Sequence, residues 1–257
     1  MALVGGLVMP ACQTAPVASP TPAAPLAAAK TTAYLSAEQT QKLKDMLPGP
    51  FPRHPGATAD EAKALDALLS AAEVEVIRGV QADTSAQARA RADHLEEFDP
   101  WWNFDVALGH HFNSKECPKI ELFMTNAERE VGPIKDAAKK KFGRVRPPES
   151  GISSNDSYPS GHSTRAFFRA RILSEIAPEK KDLIVMEARS MVTNRLIAGK
   201  HHPADCVGGI VLGAAIADAM IAAAKDSTSS VHSDFEAAKL EWKELMAKPE
   251  AKGKPGA

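Results

Sequence analysis

The sequence contains few aromatic residues and few cysteines, and the shortage of cysteines excludes one class of protein. Phe, Trp and Tyr make up 5% of the 257 residues, and only three residues are Cys. Three cysteines cannot form the disulfide framework that stabilises small secreted domains. Of the three, Cys117 and Cys206 are expected to be buried thiols, although nothing in the sequence excludes that they pair. Runs of β-branched residues are also short, whereas the abundant alanine loses no side-chain entropy in a helix, so the composition favours helices.

The sequence also lacks an excess of either charge. It contains 31 Lys and Arg against 32 Asp and Glu, which gives a net charge of −1. Proteins that bind nucleic acids usually carry a basic excess, so the charge balance argues against nucleic acid as the main partner. A function that needs cations must therefore depend on a local cluster of them.

The chain begins with an apolar segment that ends at Cys12. Residues 1–12 are too few to span a bilayer and resemble an export signal, with a small residue before Cys12 as in bacterial lipoprotein leaders. We therefore expect a periplasmic protein, and leave open whether Cys12 is lipidated or the leader is simply cleaved. Residues 13–33 are rich in Pro and Ala and are expected to form a flexible tether. The folded domain is predicted over residues 34–248, followed by a disordered tail over residues 249–257.

Four capping boxes, in which a Ser or Thr precedes a Glu or Gln by three residues, predict helix starts. They are Ser36/Gln39, Thr58/Glu61, Thr84/Gln87 and Ser233/Glu236. The second of these helices has an apolar face, which helical spacing predicts to pack on the core. That face consists of Leu65, Leu68, Leu69, Ala72 and Val76.

Apolar periodicity predicts further helices, and residues 143–160, which are rich in Gly, Pro, Ser and Asn, are predicted to form a loop. The predicted helices cover residues 101–108, 119–131, 133–141, 163–176, 180–196 and 205–224. The last of these is strongly apolar, but its Asp218 and several glycines favour a buried core helix over a membrane span. Because no strand and no internal repeat is evident, the predicted fold class is all-α, in a single domain.

Three short segments carry side chains that suit phosphate chemistry. They are Lys139-x6-Arg146-Pro147, then Pro159-Ser160-Gly161-His162, then Arg195-x5-His201-x3-Asp205. A phosphate ester presents anionic oxygens and a poor leaving group, so its cleavage needs cations, a nucleophile and an acid. Each segment alone is a weak signal, and the ordered set of three is a strong one.

The cations of these segments, together with a predicted helix start, are suited to binding phosphoryl oxygens. The guanidinium groups of Arg146 and Arg195 can each bind two phosphate oxygens, and Lys139 adds a point charge. Ser160 and Gly161 lie at a predicted helix start, where backbone N–H groups lack helical partners and the helix dipole favours an anion. These five residues are the predicted phosphate-binding set.

The two histidines of the segments are the predicted catalytic groups. His201 and Asp205 are four residues apart, so a helical turn would bring them to one face. A carboxylate on one imidazole nitrogen fixes the tautomer and leaves the other nitrogen free to attack phosphorus. His162 would then protonate the leaving oxygen. The adjacent His202 is predicted to point elsewhere and to form part of the wall.

A metal site remains an alternative, because His110 and His111 could join His201, His202 and Asp205 around zinc or iron. The spacing does not match H-E-x-x-H or a zinc finger, so the prediction is no metal and no cofactor. The sequence also lacks the P-loop and the G-x-S-x-G motif of serine hydrolases.

The three segments resemble the signature of the PAP2 acid phosphatase/vanadium haloperoxidase superfamily, K-x6-RP, PSGH and SR-x5-H-x3-D. The sequence departs from it only at Asn194, where the pattern has Ser. Over residues 34–224 it is similar to bacterial class A non-specific acid phosphatases. This resemblance implies an all-helical bundle of the PAP2 type, export, independence of metals and often a homodimer. The loop between Pro147 and Pro159 is short for that class.

The resemblance also implies an activity and residue roles. The activity would be hydrolysis of a broad range of small phosphate monoesters through a phosphohistidine on His201, oriented by Asp205. His162 would be the acid and then the base. Two alternatives from the same superfamily remain open, a lipid phosphate phosphatase and a vanadate-dependent haloperoxidase. A further alternative is a protein that binds anions without catalysis.

Overall fold

The computed structural model describes residues 33–51, 55–94, 102–109 and 115–247, and this part of the chain is helical without any strand. The predicted all-α fold class is therefore confirmed. The helices are α1 Ala37–Asp45, α2 Ala59–Asp83, α3 Ala86–His94, α4 Trp102–Leu108, α5 Pro118–Phe142, α6 Gly161–Ile176, α7 Lys181–Ile197, α8 Pro203–Ala224 and α9 Ser230–Ala247. The leader, the tether, Cys12 and the tail lie outside the described residues, so their predicted roles stay predictions.

Two predicted capping boxes begin helices in the structure. The Ser36 side chain accepts a hydrogen bond from the backbone of Gln39, whose side chain accepts one from the Ser36 backbone, and α1 follows. Thr58 and Glu61 pair in the same way before α2. In each case the box satisfies N–H groups that have no partner in the first helical turn.

Two other predicted capping boxes are wrong. Thr84 caps the C-terminal end of α2, where its hydroxyl donates to the carbonyl of Val80. Ser85 caps the start of α3 instead. The predicted start at Ser233 lies inside α9, which begins three residues earlier at Ser230. Ser and Thr side chains have several local hydrogen-bond partners to choose from, so the sequence motif alone does not fix the helix start.

The predicted break at Pro133 is also wrong, since α5 runs through it as one helix. Proline removes one backbone hydrogen bond from a helix interior. The buried side chains continue at helical spacing on both sides of it, and they are Ile120, Phe123, Met124, Ala127, Val131, Ile134 and Ala138. Burial of this uninterrupted face offsets the lost hydrogen bond.

The apolar face predicted for α2 does not pack on the core. Leu65, Leu68 and Val76 are 41%, 67% and 50% exposed, and Ile77 is the one buried residue of this helix. Instead, α2 turns Glu73 inward, where it meets the guanidinium of Arg144 and the backbone N–H of Ala204. The orientation of α2 is therefore determined by this electrostatic pairing and not by the apolar periodicity of the helix.

Helix α6 is the centre of the bundle and packs on both α7 and α8, while α5 packs on α9. Most of its residues are buried, as expected for a central helix. Glycines on α8 permit close contact with α6: a Cβ on Gly213 would lie 2.1 Å from the carbonyl oxygen of Thr164, and one on Gly209 would lie 2.6 Å from that of Ser160. This contact brings the first turns of α6 and α8 side by side.

Helix α8 is long and apolar enough to cross a membrane by length and composition, with a mean hydropathy of 2.0. Half of that apolar window is buried within the protein, as in the core helix predicted from the sequence. Cys206 on this helix and Cys117 before α5 are both buried thiols, and no disulfide joins them.

We predict that Gly213→Ala lowers the free energy of unfolding by about 2 kcal/mol or more, because the new methyl group must push α6 away from α8. Urea unfolding followed by circular dichroism measures the change.

The matched control is Gly79→Ala in α2, where a Cβ meets nothing within 4 Å. It should raise stability by about 0.5–1 kcal/mol, because alanine is the better helix former. Equal stability of Gly213→Ala and the wild type would contradict the close contact.

Candidate active site

The first turns of α6 and α8 form one end of the bundle, where the sequence segments meet. The backbone N–H of Ser160 donates to the carbonyl of Asp205 at 2.9 Å, which ties the start of α6 to the start of α8. Ser160 is buried and caps α6, its hydroxyl accepting from the backbone N–H of Ser163. The prediction that Ser160-Gly161-His162 begins a helix is therefore confirmed.

The loop between α5 and α6 folds back on itself beside this end. Ser157 N–H donates to the carbonyl of Arg144 at 2.9 Å, and Arg146 N–H donates to the carbonyl of Ser154 at 3.1 Å. Between the two arginines, Val145 is 66% exposed. The alternation indicates an extended segment in which both arginine side chains point into the protein.

His201 and Asp205 lie together as the spacing predicted. The Nδ1 of His201 is 3.6 Å from Oδ2 of Asp205, and both side chains are almost completely buried. Burial lowers the pKa of His201 to about 4, although the Asp205 carboxylate acts in the opposite direction. The imidazole is therefore neutral over most of the acid range, which a nucleophile requires.

Asp205 is held by three further donors. Arg144 Nη1 donates to its Oδ1 at 2.7 Å, while the Ser157 hydroxyl and the His202 N–H donate to Oδ2. Burial by itself would raise the pKa of Asp205, but His201, Arg144 and Ser157 lower it to about 2. The carboxylate is thus ionised and fixed beneath the histidine.

Glu73 of α2 completes this buried network, and sequence reasoning missed it. Its Oε2 accepts from Nη2 of Arg144 and lies 3.8 Å from Nδ1 of His202, and its Oε1 accepts from the backbone N–H of Ala204 at 2.6 Å. His202 therefore lies against Glu73, whereas His201 lies against Asp205. No local pattern around Glu73 distinguishes it from a surface glutamate.

Arg144 was missed as well, although a signal existed. In an extended segment, residues i and i+2 share a face, so Arg144 two residues before Arg146 should also point inward. It is the cation that pairs with two carboxylates at once, those of Asp205 and Glu73.

Arg146 and Lys139 form a cationic cluster close to His201, whose pKa both of them lower electrostatically. Arg146 donates from Nε and Nη2 to the two carboxylate oxygens of Asp156, and from Nη1 to the carbonyl of Lys200 at 3.2 Å. Lys139 contacts the Asp156 carbonyl and carboxylate. Burial lowers the pKa of Lys139, and the nearby Arg146 lowers it further, whereas the Asp156 carboxylate acts in the opposite direction.

The remaining predicted site residues lie at the same end of the bundle. Arg195 is in the last turn of α7 and is 2% exposed. Burial raises the pKa of Cys206, in the first turn of α8, and the charge of the nearby Arg195 opposes that rise. Gly161 begins α6, and a Cβ there would lie 3.1 Å from the Lys135 side chain. His162 follows it in the same turn and is partly exposed.

The metal alternative finds no support in the described residues. No group of three or more His, Cys, Asp or Glu suited to a metal ion occurs among them. His110 and His111, on which the alternative depended, lie outside the described part of the chain.

One family model matches the part of the chain that contains the predicted site residues. The family model described as the PAP2 superfamily matches residues 88–229, which is more than half of the chain. The chain belongs to the PAP2 superfamily. The match includes all three sequence segments and helices α5 to α8.

Curated relatives agree with this assignment. The chain is 32% identical over 115 residues to a non-specific acid phosphatase of Providencia stuartii, covering 40% of this chain and 46% of the relative. It is 29% identical over 124 residues to a non-specific acid phosphatase of Salmonella typhimurium, covering 43% and 50%. It is also 33% identical over 97 residues to a lipid A 1-phosphatase of Rhizobium johnstonii, covering 32% and 39%. The chain therefore matches half of the length of these relatives or less.

We predict that Arg144→Gln lowers the free energy of unfolding by about 3 kcal/mol or more, because Asp205 and Glu73 would remain buried without their cation. The measurement is urea unfolding at pH 7. Arg171→Gln is the matched control, since Arg171 also pairs with two carboxylates but is 38% exposed. Its loss should cost less than about 1 kcal/mol, and similar losses for the two variants would rule out a buried role for Arg144.

Proposed function

We propose that the protein is an exported acid phosphatase that hydrolyses a broad range of small phosphate monoesters through a phosphohistidine. The observation that carries the proposal is the pairing of a buried, neutral His201 with the ionised Asp205 next to the Arg146 and Lys139 cations. The PAP2 family and the non-specific acid phosphatases among its relatives support the same reaction.

In the proposed reaction, Lys139, Arg146, Arg195 and the backbone N–H groups of Ser160 and Gly161 bind the phosphoryl oxygens. Charge on those oxygens is stabilised best by donors that are fixed before the substrate arrives. The described contacts of Arg146 and the burial of Arg195 limit their movement.

His201 then attacks phosphorus through Nε2, and the bond between phosphorus and the leaving oxygen breaks. His162 donates a proton to that oxygen, and Asp205 stabilises the positive charge that forms on the His201 ring. In the second half, His162 accepts a proton from water, the hydroxide attacks the phosphohistidine, and phosphate leaves with His201 regenerated. No metal or cofactor takes part.

The lipid A 1-phosphatase among the relatives makes a lipid phosphate the second candidate substrate. Assays of a lipid phosphate in mixed micelles and of p-nitrophenyl phosphate with the same preparation separate the two. Halide oxidation with added vanadate tests the haloperoxidase alternative. Periplasmic export, a lipid anchor at Cys12 and a homodimer remain predictions from the sequence.

We predict that His201→Ala lowers kcat for p-nitrophenyl phosphate by about 10³-fold or more, because the nucleophile is lost. His162→Ala should lower kcat for an alkyl phosphate by about 10²-fold or more. It should lower kcat for p-nitrophenyl phosphate less, because nitrophenolate leaves without needing a proton. Steady-state kinetics on both esters provide the test.

The control is His232→Gln on α9, whose ring bonds the carbonyl of Ala224; it should keep wild-type kcat. Undiminished turnover by folded His201→Ala would exclude the mechanism, and an absence of turnover by the wild type on every ester would favour anion binding without catalysis.

The pH dependence follows from the two histidines. His201 must be neutral to attack, so kcat/KM should fall as the pH drops through about 4, where its ring gains a proton. His162 must be protonated to donate, so the rate should also decline toward alkaline pH. The pH profile of kcat/KM measures both limbs, and a maximum above about pH 8 would contradict these roles.

A further inference from the structure

A carboxylate contacts two of the cations that are proposed to bind phosphate. Asp156 accepts from Nε of Arg146 at 2.8 Å through Oδ1 and from Nη2 at 3.2 Å through Oδ2. Its Oδ2 is also 3.5 Å from Nζ of Lys139, and the Lys139 ammonium donates to the Asp156 backbone carbonyl. One acidic residue therefore contacts both members of the cluster next to His201.

This contact has the geometry that a phosphate group would use. A guanidinium binds carboxylate and phosphate oxygens alike, through two parallel N–H donors. With Nε and Nη2 on Asp156 and Nη1 on the carbonyl of Lys200, two of the five N–H groups of Arg146 remain for another anion. An incoming phosphoryl group must share the guanidinium with the carboxylate or displace it.

Asp156 lies on the solvent side of the cluster. Its side chain is 47% exposed, whereas those of Arg146 and Lys139 are 13% and 12% exposed. The Arg146 guanidinium holds the pKa of Asp156 well below its usual range, and the hydroxyl of Ser154 lowers it too. The residue thus carries a negative charge on the solvent side of the two cations.

We infer that Asp156 is a specificity-determining residue that competes with phosphate for Arg146 and Lys139. This inference rests on the proposed role of those cations in binding the phosphoryl group. The competition weakens the binding of free phosphate, the product, and so favours its release.

The same charge discriminates between ionic forms of the phosphoryl group. Repulsion by Asp156 is about twice as large for a dianion as for a monoanion. Because phosphate groups lose their second proton near pH 6, the monoanion predominates at acid pH. Asp156 therefore adds a preference for acid pH that is separate from the protonation of His162.

The test is calorimetric titration of the protein with inorganic phosphate, which needs no turnover. Asp156→Asn keeps the shape of the side chain and removes its charge. We expect it to bind phosphate about threefold more tightly than the wild type at pH 5. At pH 8.5, where inorganic phosphate is a dianion, it should bind about tenfold more tightly.

The matched control is Asp218→Asn on α8. Asp218 pairs with Nε of Arg171 at 2.8 Å and is 58% exposed, so the variant loses the same charge from a similar pair outside the site. It should bind phosphate as the wild type does. Should Asp156→Asn not fold by circular dichroism, Asp156→Ser takes its place in the same titration.

Equal or weaker phosphate binding by the Asp156 variant would overturn the inference, and weaker binding would mean that the carboxylate orients Arg146 for the substrate. Hydrolysis of p-nitrophenyl phosphate by the wild type, measured in parallel, separates this failure from a failure of the proposed function. If the wild type neither binds phosphate nor hydrolyses the ester, both fail.

Discussion

The rest of the site depends on the ion pairs that the guanidinium of Arg144 forms. It joins Glu73 of α2 and Asp205 of α8 across the loop that follows α5. Two carboxylates share one cation there, so the network retains a negative charge directly beneath His201. That charge is suited to stabilising a histidine that becomes positive when it attacks phosphorus. Because these ions are buried, the network tolerates little displacement of any of its members.

The extended segment at residues 144–146 separates two electrostatic tasks. Its first arginine pairs with Asp205, the residue proposed to orient the nucleophile. Its second arginine pairs with Asp156 and is proposed to bind the phosphoryl group. The close packing of α6 on α8, which the α8 glycines permit, then brings the helix start at Ser160 to the same place. The proposed chemistry thus requires one tight helix contact and one short loop.

Local patterns in the sequence predicted much of this arrangement. The capping boxes at Ser36 and Thr58, the helix start at Ser160 and the proximity of His201 to Asp205 all depend on residues within four positions of each other. The orientation of α2 and the partners of Asp205 could not be predicted in this way. Glu73 meets Ala204 from 131 residues away, and Arg144 meets Asp205 from 61 residues away. At Pro133, periodic burial outweighed a local helix breaker, which propensity alone does not reveal.

The most direct test of the account is a crystal structure of the protein with orthovanadate, which takes the geometry of a phosphoryl group under attack. We predict vanadium bonded to Nε2 of His201, with its oxygens about 3 Å from Lys139, Arg146 and Arg195. Vanadate bound elsewhere, or held at this end of the bundle without contact to His201, would contradict it.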